Sequence, residues 1–442
     1  MKRLLSAMLV LILMLTLVVP VALADEGKKS GAFTYQIKGN GTATIIGYDW
    51  NTMEGQDIFI PRMLDGYTVT EIADEAFAVI EYDKNGIPED YSRSERAGSL
   101  VIPDTVKTIG EKAFWGVCFA TKAITIPQSA EYIGAGAFSN IDGIEKFEVV
   151  SGNPVYTTID GVLYNKREKM LVSFPRDKDA ANFTIPDGIK HIEDYAFWNN
   201  QIKKWNATII FPPTLETIGE CSFAYAFGDI TDNFGMFEIV FPASLMEMKK
   251  GAFYSCKGSF TFDLSKTKIK EISPYTFAHL PSINAFSEQL WVDMLFPSEL
   301  TTIGDSAFLK CGILFKKLPS SVVEIKNNAF RDAEFLVPFA FDIDSELQII
   351  GEDAFNGCYF KDLGTSLFLP AKLEIIGSHA FYDVALGTLG IPSSVKSIGE
   401  DFCRRSTVYL DVEAGSYAAL YASENGYMTV GTDNEDTSWL ND

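Results

Sequence analysis

The sequence predicts a repeat solenoid that is mainly β, with short helical or 3-10 turns between its strands. Three short motifs recur in a fixed order along most of the chain. A strand motif of the form apolar-x-apolar-Pro comes first, an Ile-Gly step follows, and an Ala-Phe step ends the copy, as in the stretch from Ile124 to Phe138. No single copy can bury its own apolar face, so stacked copies must share one continuous core.

The last Phe of each copy gives the period of the repeat. The spacing is 21 residues from Phe381 to Phe402 and 26 residues from Phe355 to Phe381. A period of about 20–29 residues on spaced apolar positions is typical of a leucine-rich-repeat solenoid. About a dozen coils are therefore expected between residues 58 and 405.

Each step of the copy has a structural role that its residue types suggest. Ile124-Thr125-Ile126 alternates apolar and polar residues like a half-buried strand, and Pro127, which has no N–H to donate, ends it. Ile133 is expected to point inward, and Gly134 to permit the bend that follows. The ring of Phe138 then fills the space between coils.

The residues and spacing of these motifs resemble those of the BspA-type leucine-rich repeat family of bacterial secreted and surface proteins. The resemblance covers about Ile58 to Phe402. Three copies depart from the pattern: Leu264-Ser265 lacks the Pro, Ile343-Asp344 lacks it too, and Ile325-Lys326 lacks the Gly. These departures should loosen single coils without shifting the register of the array.

The start of the chain has the pattern of an export signal. Lys2 and Arg3 precede an apolar core from Leu4 to Val19, and Ala22-Leu23-Ala24 forms a small-x-small cleavage site. Cleavage after Ala24 would remove residues 1–24 and give a secreted protein without stable membrane insertion. A segment that stays attached as a membrane anchor is the alternative. The net charge of −22 and a pI of about 4.6 argue against nucleic-acid binding, which needs clustered Lys and Arg.

Capping segments are expected at both ends of the array. Residues 25–57 read as a β-hairpin cap, and 406–442 as a short helix with Ser416 as its N-cap, followed by an acidic tail. Within the array, 81–98 is charged and aperiodic and is expected to be a solvated loop. Asp160-Gly161 predicts a tight turn inside a variant coil that lacks the Ala-Phe step.

The six cysteines are open to two interpretations. An exported protein favours disulfides, but Cys256, Cys311 and Cys358 each follow the Phe of their copy by three residues. One structural column of small buried thiols fits that spacing better. No Cys-x-x-Cys pair suggests a metal site.

No residue set in the sequence indicates catalysis. His191, His279 and His379 belong to three separate copies, so they should not converge on one metal. No phosphate-binding Gly loop and no nucleophile elbow occurs, and no cofactor is expected.

One outward-facing row of side chains is the candidate functional surface. The middle residue of each strand motif should face solvent, and the row reads Val101, Thr125, Thr184, Ile210, Val240, Asp263, Leu295, Asp342, Phe368 and Gly390. We expect a protein-binding face on seven of these: Val101, Thr125, Thr184, Ile210, Val240, Leu295 and Phe368. Strand propensity alone could also put apolar residues there.

The favoured function is a secreted, non-enzymatic scaffold for protein or cell-surface binding or adhesion. It would be monomeric, extracellular or attached to the cell surface, and its partner an extracellular protein or another cell-surface macromolecule. This hypothesis rests partly on analogy, because a fold alone does not give a function. A structural spacer without a ligand is one alternative, and an exported hydrolase with its site in an irregular insertion is another.

Overall fold

The structure is a computed structural model of the chain. It describes residues 27–52, 57–84, 86–88, 96–178, 182–200, 208–227, 236–280, 290–361, 366–404 and 407–430. The expected export signal 1–24 and the end of the acidic tail lie outside these residues. Within them, no helix combines the length and apolar character needed to cross a bilayer.

The first part of the chain is built from short strands and one 3-10 turn, Trp50–Thr52. In chain order the strands are β1 (Lys28–Ser30), β2 (Phe33–Ile37), β3 (Thr42–Tyr48), β4 (Ile58–Phe59), β5 (Met63–Leu64), β6 (Tyr67–Ile72), β7 (Arg96–Ala97), β8 (Leu100–Val101), β9 (Thr108–Ile109), β10 (Cys118–Phe119), β11 (Ala123–Ile126), β12 (Tyr132–Ile133), β13 (Lys146–Val149), β14 (Tyr156–Ile159), β15 (Val162–Asn165), β16 (Met170–Ser173), β17 (Asn182–Thr184) and β18 (His191–Ile192).

The second part continues the series and contains a helix, α1 (Tyr417–Asn425), before its last strand. Its strands are β19 (Thr208–Ile210), β20 (Thr217–Ile218), β21 (Met236–Val240), β22 (Glu247–Met248), β23 (Ser259–Asp263), β24 (Glu271–Ile272), β25 (Val292–Leu295), β26 (Thr302–Ile303), β27 (Gly312–Ile313), β28 (Glu324–Ile325), β29 (Glu334–Phe335), β30 (Ile349–Ile350), β31 (Tyr359–Phe360), β32 (Ser366–Phe368), β33 (Ile375–Ile376), β34 (Thr388–Ile391), β35 (Ser397–Ile398), β36 (Tyr409–Val412) and β37 (Met428–Thr429).

Strands from successive coils stack side by side in parallel ladders, which confirms the predicted solenoid. The first strand row comes mainly from the apolar-x-apolar-Pro step and contains β4, β8, β11, β13, β17, β19, β21, β23, β25, β27, β29, β31, β32, β34 and β36. The second strand row comes from the Ile step and contains β6, β9, β12, β16, β18, β20, β22, β24, β26, β28, β30, β33 and β35. The array has about 14 turns and almost no helix.

A stack of phenylalanine rings runs through the core, one ring from each coil that carries the Ala-Phe step or its equivalent, such as Ser222-Phe223. Phe308 lies between Phe277 and Phe330, with ring centroids 5.5 and 5.2 Å away and the ring planes of Phe308 and Phe330 only 3° apart. The ring of Phe308 is fully buried. Stacked neighbours in the series have centroids 4.6 to 5.9 Å apart, so successive coils are in van der Waals contact.

Backbone hydrogen bonds hold the turns around these rings in register. The N–H of Phe77 donates to the carbonyl of Ala113 at 2.8 Å, and the N–H of Phe308 donates to Ala329 at 2.8 Å. Two residues before the Phe, the chain takes a left-handed conformation, as at Ser306 (φ 55°). That conformation is favoured by tight turns, and it recurs coil after coil.

The Gly of the Ile-Gly step has a different role from the one expected. Gly134 does not take a positive φ, so it is not required for backbone freedom. A Cβ on Gly134 would lie 2.6 Å from the N atom of Glu111, and one on Gly110 would lie 2.3 Å from the N atom of Asp74. The backbone of the preceding coil occupies the space that a side chain would need.

The variant coil is a three-stranded antiparallel meander formed by β14, β15 and β16. Ile159 pairs with Val162, so Asp160 and Gly161 form a two-residue turn, with φ of 50° and 74°. Positive φ at both central residues is the signature of a type I′ hairpin turn. The predicted tight turn is confirmed.

The expectation of a solvated loop at 81–98 agrees with the exposed Glu81, Tyr82 and Lys84 but is wrong for Ile87. Ile87 is buried in a cluster on the edge of the turns, with Trp115, Trp198 and Tyr254 among its members. A carboxylate oxygen of Asp83 lies 3.4 Å from the hydroxyl of Tyr254, which is 171 residues away in sequence. The segment carries its own apolar residue, and the aromatic residues beside the stacked Phe rings provide a surface to bury it.

Both ends of the array are covered. At the start, β2 and β3 form an antiparallel hairpin, and β3 pairs in parallel with β6 of the repeats. At the end, α1 begins after Ser416, whose hydroxyl accepts the N–H of Ala419 at 3.1 Å. The hydroxyl of Tyr421 then donates to the carbonyl of Gly399 at 2.8 Å, which ties the helix to the last coil.

Three cysteines occupy the same place in their coils. The thiols of Cys256, Cys311 and Cys358 each donate to the carbonyl of the preceding coil's stacked Phe, at 2.9, 2.7 and 2.9 Å. Burial raises the pKa of the Cys311 thiol to about 12, although a backbone hydrogen bond with Leu280 opposes the shift. All six cysteines are free thiols, and Cys118 is the one that is not fully buried.

Replacing Phe308 with Ala should destabilise the protein by about 3–5 kcal/mol, because the ring is fully buried and its removal leaves a cavity between two stacked neighbours. Denaturant unfolding followed by circular dichroism measures the loss. Ile343→Ala is the matched control, since Ile343 is 92% exposed and should change stability by less than about 0.5 kcal/mol. Equal, small losses in the two variants would contradict the account of the core.

The folded protein should protect its buried thiols from a bulky thiol reagent. Thiolates are the reactive species, and burial raises the pKa of Cys221, Cys256, Cys311 and Cys358. Mass spectrometry after brief labelling should find Cys118 modified first. Denaturation without a reductant should release all six thiols, and a protein that releases none would be disulfide-bonded.

Candidate protein-binding face

The structure places all seven predicted face residues at the surface. We call this set the outer row: Val101, Thr125, Thr184, Ile210, Val240, Leu295 and Phe368. Each is the outward residue of a strand and follows a buried residue, as in the pattern of β19 and β21. The alternation follows from the pleat of the strand, which turns successive side chains to opposite faces.

The outer row is less continuous than expected. Val240 pairs with Asp263, and Asp263 with Leu295, so a carboxylate residue separates the two apolar ones. The expectation that Ile210, Val240 and Leu295 lie side by side is wrong at this point. The Asp263 carboxylate accepts the N–H and the hydroxyl of Ser265 at 3.0 and 2.6 Å. It ends the strand by an Asx turn where other coils use Pro, which explains both the departure and the acidic residue.

Asp342 and Gly390 are two further positions that the sequence predicts to face outward in this row. Asp342 is not in a strand, and the expected inward residue beside it, Ile343, is 92% exposed. The short strand of that coil is β29 instead. The carboxylate of Asp342 forms an ion pair with Nζ of Lys317, 2.7 Å away. Gly390 does lie in the row, paired with Phe368, but it is covered rather than exposed.

Phe59 is a member of the row that sequence reasoning missed. It pairs with Val101 in the ladder of β4 and β8, and its side chain is 62% exposed. The signal was present, because Ile58-Phe59-Ile60-Pro61 has the same apolar-x-apolar-Pro form as the later copies.

Two shallow grooves follow the first strand row, and both use the same positions of the repeat. The first groove, of about 560 Å³, is lined by Ile210, Phe211, Glu238, Val240, Phe241 and Lys266, among others. The second groove, of about 420 Å³, is lined by Phe368, Leu369, Gly390, Ile391, Asp411 and Glu413, among others. Each groove lies between an outward side chain and the loop that follows the strand.

The first groove coincides with a break in the first strand row. Among the described residues, no ladder pairing joins β19 to β21, although coils on either side are paired. The rings of Phe211 and Phe241 still stack below the break, with centroids 5.2 Å apart. The coils therefore stay in contact in the core while the strands separate at the surface.

The ring of Phe368 lies against a glycine of the neighbouring strand in the second groove. A Cβ on Gly390 would be 2.3 Å from Cδ1 of Phe368, so the ring covers the glycine of the neighbouring strand. Phe368 nevertheless remains 60% exposed. Aromatic cover of a strand glycine stabilises the cross-strand pair, and here it also leaves one face of the ring open to solvent.

The polar residues that the structure describes do not assemble a metal site. Within the described residues, no group of three or more His, Cys, Asp or Glu side chains is placed to hold a metal ion. Nδ1 of His191 lies 2.9 Å from the hydroxyl of Thr217, the ring of His279 packs on Tyr254, and burial lowers the pKa of His279. The histidines lie in separate coils, as their positions in the repeat require.

Adding a side chain at Gly390 should act through Phe368. Gly390→Ala should destabilise the wild-type protein by at least about 0.5 kcal/mol more than it destabilises Phe368→Ala, since residues in contact are coupled. A double-mutant cycle by denaturant unfolding measures the difference. Gly39→Ala serves as control, because a Cβ there meets nothing within 4 Å. Additive effects at 368 and 390 would mean that the ring does not rest on the glycine.

Solved structures of bacterial leucine-rich repeat proteins are similar to this chain. A protein from Bacteroides ovatus is 19% identical with a TM-score of 0.37, and the match covers 84% of this chain and 99% of that one. A protein from Eubacterium ventriosum is 20% identical with a TM-score of 0.39, covering 84% and 91%. The pneumococcal vaccine antigen PcpA is 14% identical with a TM-score of 0.29, covering 91% and 97%.

A sequence-family comparison assigns the repeats directly. The family described as BspA type leucine rich repeat region (6 copies) matches residues 85–226, 172–283, 207–337 and 339–409. These segments together span well over half of the chain. The comparison with curated proteins found no match. The family match agrees with the stacked coils, and the chain belongs to the BspA-type leucine-rich repeat family.

Proposed function

We propose that this protein is an exported, non-enzymatic scaffold that binds an extracellular or cell-surface protein through its outer row. The observation that carries the proposal is the exposure of large apolar side chains at outward strand positions. Ile210, Leu295 and Phe368 are each more than half exposed. Large apolar side chains that recur at one outward position of a repeat support a protein-binding face, because adjoining exposed apolar surface marks interaction sites.

The second strand row provides an internal comparison. Its outward positions are mostly polar: Glu71, Thr108, His191, Thr217, Glu247, Glu271, Thr302, Glu324 and Ser397, beside Tyr132, Met170, Ile349 and Ile375. Strand propensity acts on both rows alike. The matching positions of the first strand row include six large apolar residues, Phe59, Val101, Ile210, Val240, Leu295 and Phe368, beside Thr125, Glu148, Thr184, Asp263, Gly390 and Asp411. Large apolar residues are therefore more frequent in the first row, and this excess supports a binding role for it.

The chemistry of the two grooves also favours binding over catalysis. Their walls are mainly apolar side chains and prolines, with Glu238 and Lys266 in the first groove and Asp411 and Glu413 in the second. A hydrolase needs a nucleophile or an activated water beside convergent polar groups. The charged start and apolar core of 1–24 support an extracellular location.

The proposal predicts that charge on the outer row abolishes partner binding without unfolding the protein. In the triple variant Ile210→Lys, Val240→Lys, Leu295→Lys, three exposed positions gain cations that a docked apolar surface would have to desolvate. Each change should cost less than about 0.5 kcal/mol of stability, as is usual at the surface. Unfolding curves and quantitative mass spectrometry of proteins captured from extracellular extracts measure both effects.

A matched triple variant separates the outer row from exposed apolar residues in general. Met246→Lys, Ile343→Lys, Ile375→Lys places the same charges on exposed apolar residues outside the outer row. A protein captured by the wild type and by this control, but lost from the outer-row variant, supports the proposal. If both variants capture the same proteins as the wild type, or if the wild type captures none, the spacer hypothesis is favoured instead.

A further inference from the structure

We propose that the second groove binds a basic segment of the protein partner, with an arginine or lysine side chain lying between the ring of Phe368 and the carboxylate of Asp411. This inference rests on the proposed function, because it names the partner chemistry for one end of the binding face. It is carried by the register, the exposed ring and the charge of the groove.

The register sets the three groups in one line across the sheet. Phe368 pairs with Gly390, and Gly390 pairs with Asp411. Neighbouring strands are about 4.8 Å apart, so the α-carbons of Phe368 and Asp411 are separated by about 10 Å. The glycine between them has no side chain, and the ring leans over it toward Asp411. The exposed face of the ring and the carboxylate are thus neighbours on the same surface.

The electrostatics of the groove select for a cation. Asp411 and Glu413 are both exposed, and among the described residues neither has an ion-pair or hydrogen-bond partner for its carboxylate. Among the residues that the structure describes, the lining of the second groove contains no Lys or Arg. The chain as a whole carries a net charge of −22, which attracts basic partners over a longer range.

The first groove lies at the same place in the repeat but has a different balance of acidic and basic residues. It has an acidic residue, Glu238, but also a basic one, Lys266, and its outward side chains are aliphatic. The second groove combines an aromatic ring with acidic residues alone. A guanidinium or ammonium group gains both from the face of an aromatic ring and from a carboxylate, and arginine stacks especially well on such rings.

A segment of protein suits this groove better than a free small amine. The groove is a shallow surface channel at the ends of β32, β34 and β36, and it shares Phe368 with the outer row. An extended segment can place one basic side chain on Phe368 and let its flanking residues follow the row.

The test uses a fluorescein-labelled heptapeptide in which two arginines alternate with glycine and serine, and a matched peptide with glutamines for the arginines. Fluorescence anisotropy with the purified protein should show binding of the first peptide only. Phe368→Leu keeps apolar bulk but removes the ring, and Asp411→Asn removes the charge. Each should weaken binding by about two- to five-fold, the range expected for one exposed cation–π or ion-pair contact.

Two controls make the result specific. Phe368→Tyr restores a ring and should restore binding. Glu299→Gln removes one exposed charge far from the groove in sequence and should leave the affinity unchanged. The inference is overturned if Glu299→Gln weakens binding as much as Asp411→Asn, if Phe368→Leu has no effect, or if the glutamine peptide binds equally well. If free arginine amide binds with equal affinity, the ligand of the groove is a small cation and not a protein segment.

Failure of this inference differs from failure of the proposed function. If the outer-row triple variant loses a captured protein while Phe368→Leu still captures it and the peptide does not bind, the scaffold proposal stands and the basic-segment inference is wrong. If the peptide binds through Phe368 and Asp411 but no extracellular protein is captured, the groove assignment stands and the scaffold proposal is wrong.

Discussion

The stack of phenylalanine rings in the core is the interaction on which the rest of the structure depends. Its spacing of about 5 Å matches the distance between neighbouring strands, so the rings and the strand ladders enforce one another. The N–H of Phe308 reaches the carbonyl of Ala329 only at that spacing. Close approach also explains the glycines, because a Cβ on Gly110 or Gly134 would meet the backbone of the preceding coil.

Much of this architecture is predictable because the recurring motifs fix which positions of each coil face the core. Once Phe138 is assigned to the core, the outward residue of each strand motif follows by counting, and the exposure of Ile210 and Val240 agrees with that count. What sequence could not give depends on contacts between distant residues. Asp83 meets Tyr254 across 171 residues, and the break between β19 and β21 has no local signal. Asp342 was misplaced because its coil uses β29 as its strand.

The outer row turns this regular scaffold into a surface with local chemistry. Coil stacking fixes where each outward side chain lies, while the identity of that side chain is free to vary. Asp263 caps its own strand, Ile210 and Val240 border the first groove, and Phe368 covers Gly390 in the second. A binding face on a solenoid is therefore a sum of short sites, each set by one or two residues of neighbouring coils.

The central claim is that the first strand row, and not the second, meets the partner. Side-chain footprinting of the protein with and without its captured partner tests this most directly. Protection should fall on the outer row, above all at Leu295 and Phe368, while exposed residues of the second row such as Tyr132 and Ile375 stay accessible. Protection of Tyr132 and Ile375 with unchanged labelling of Leu295 and Phe368 would contradict the account.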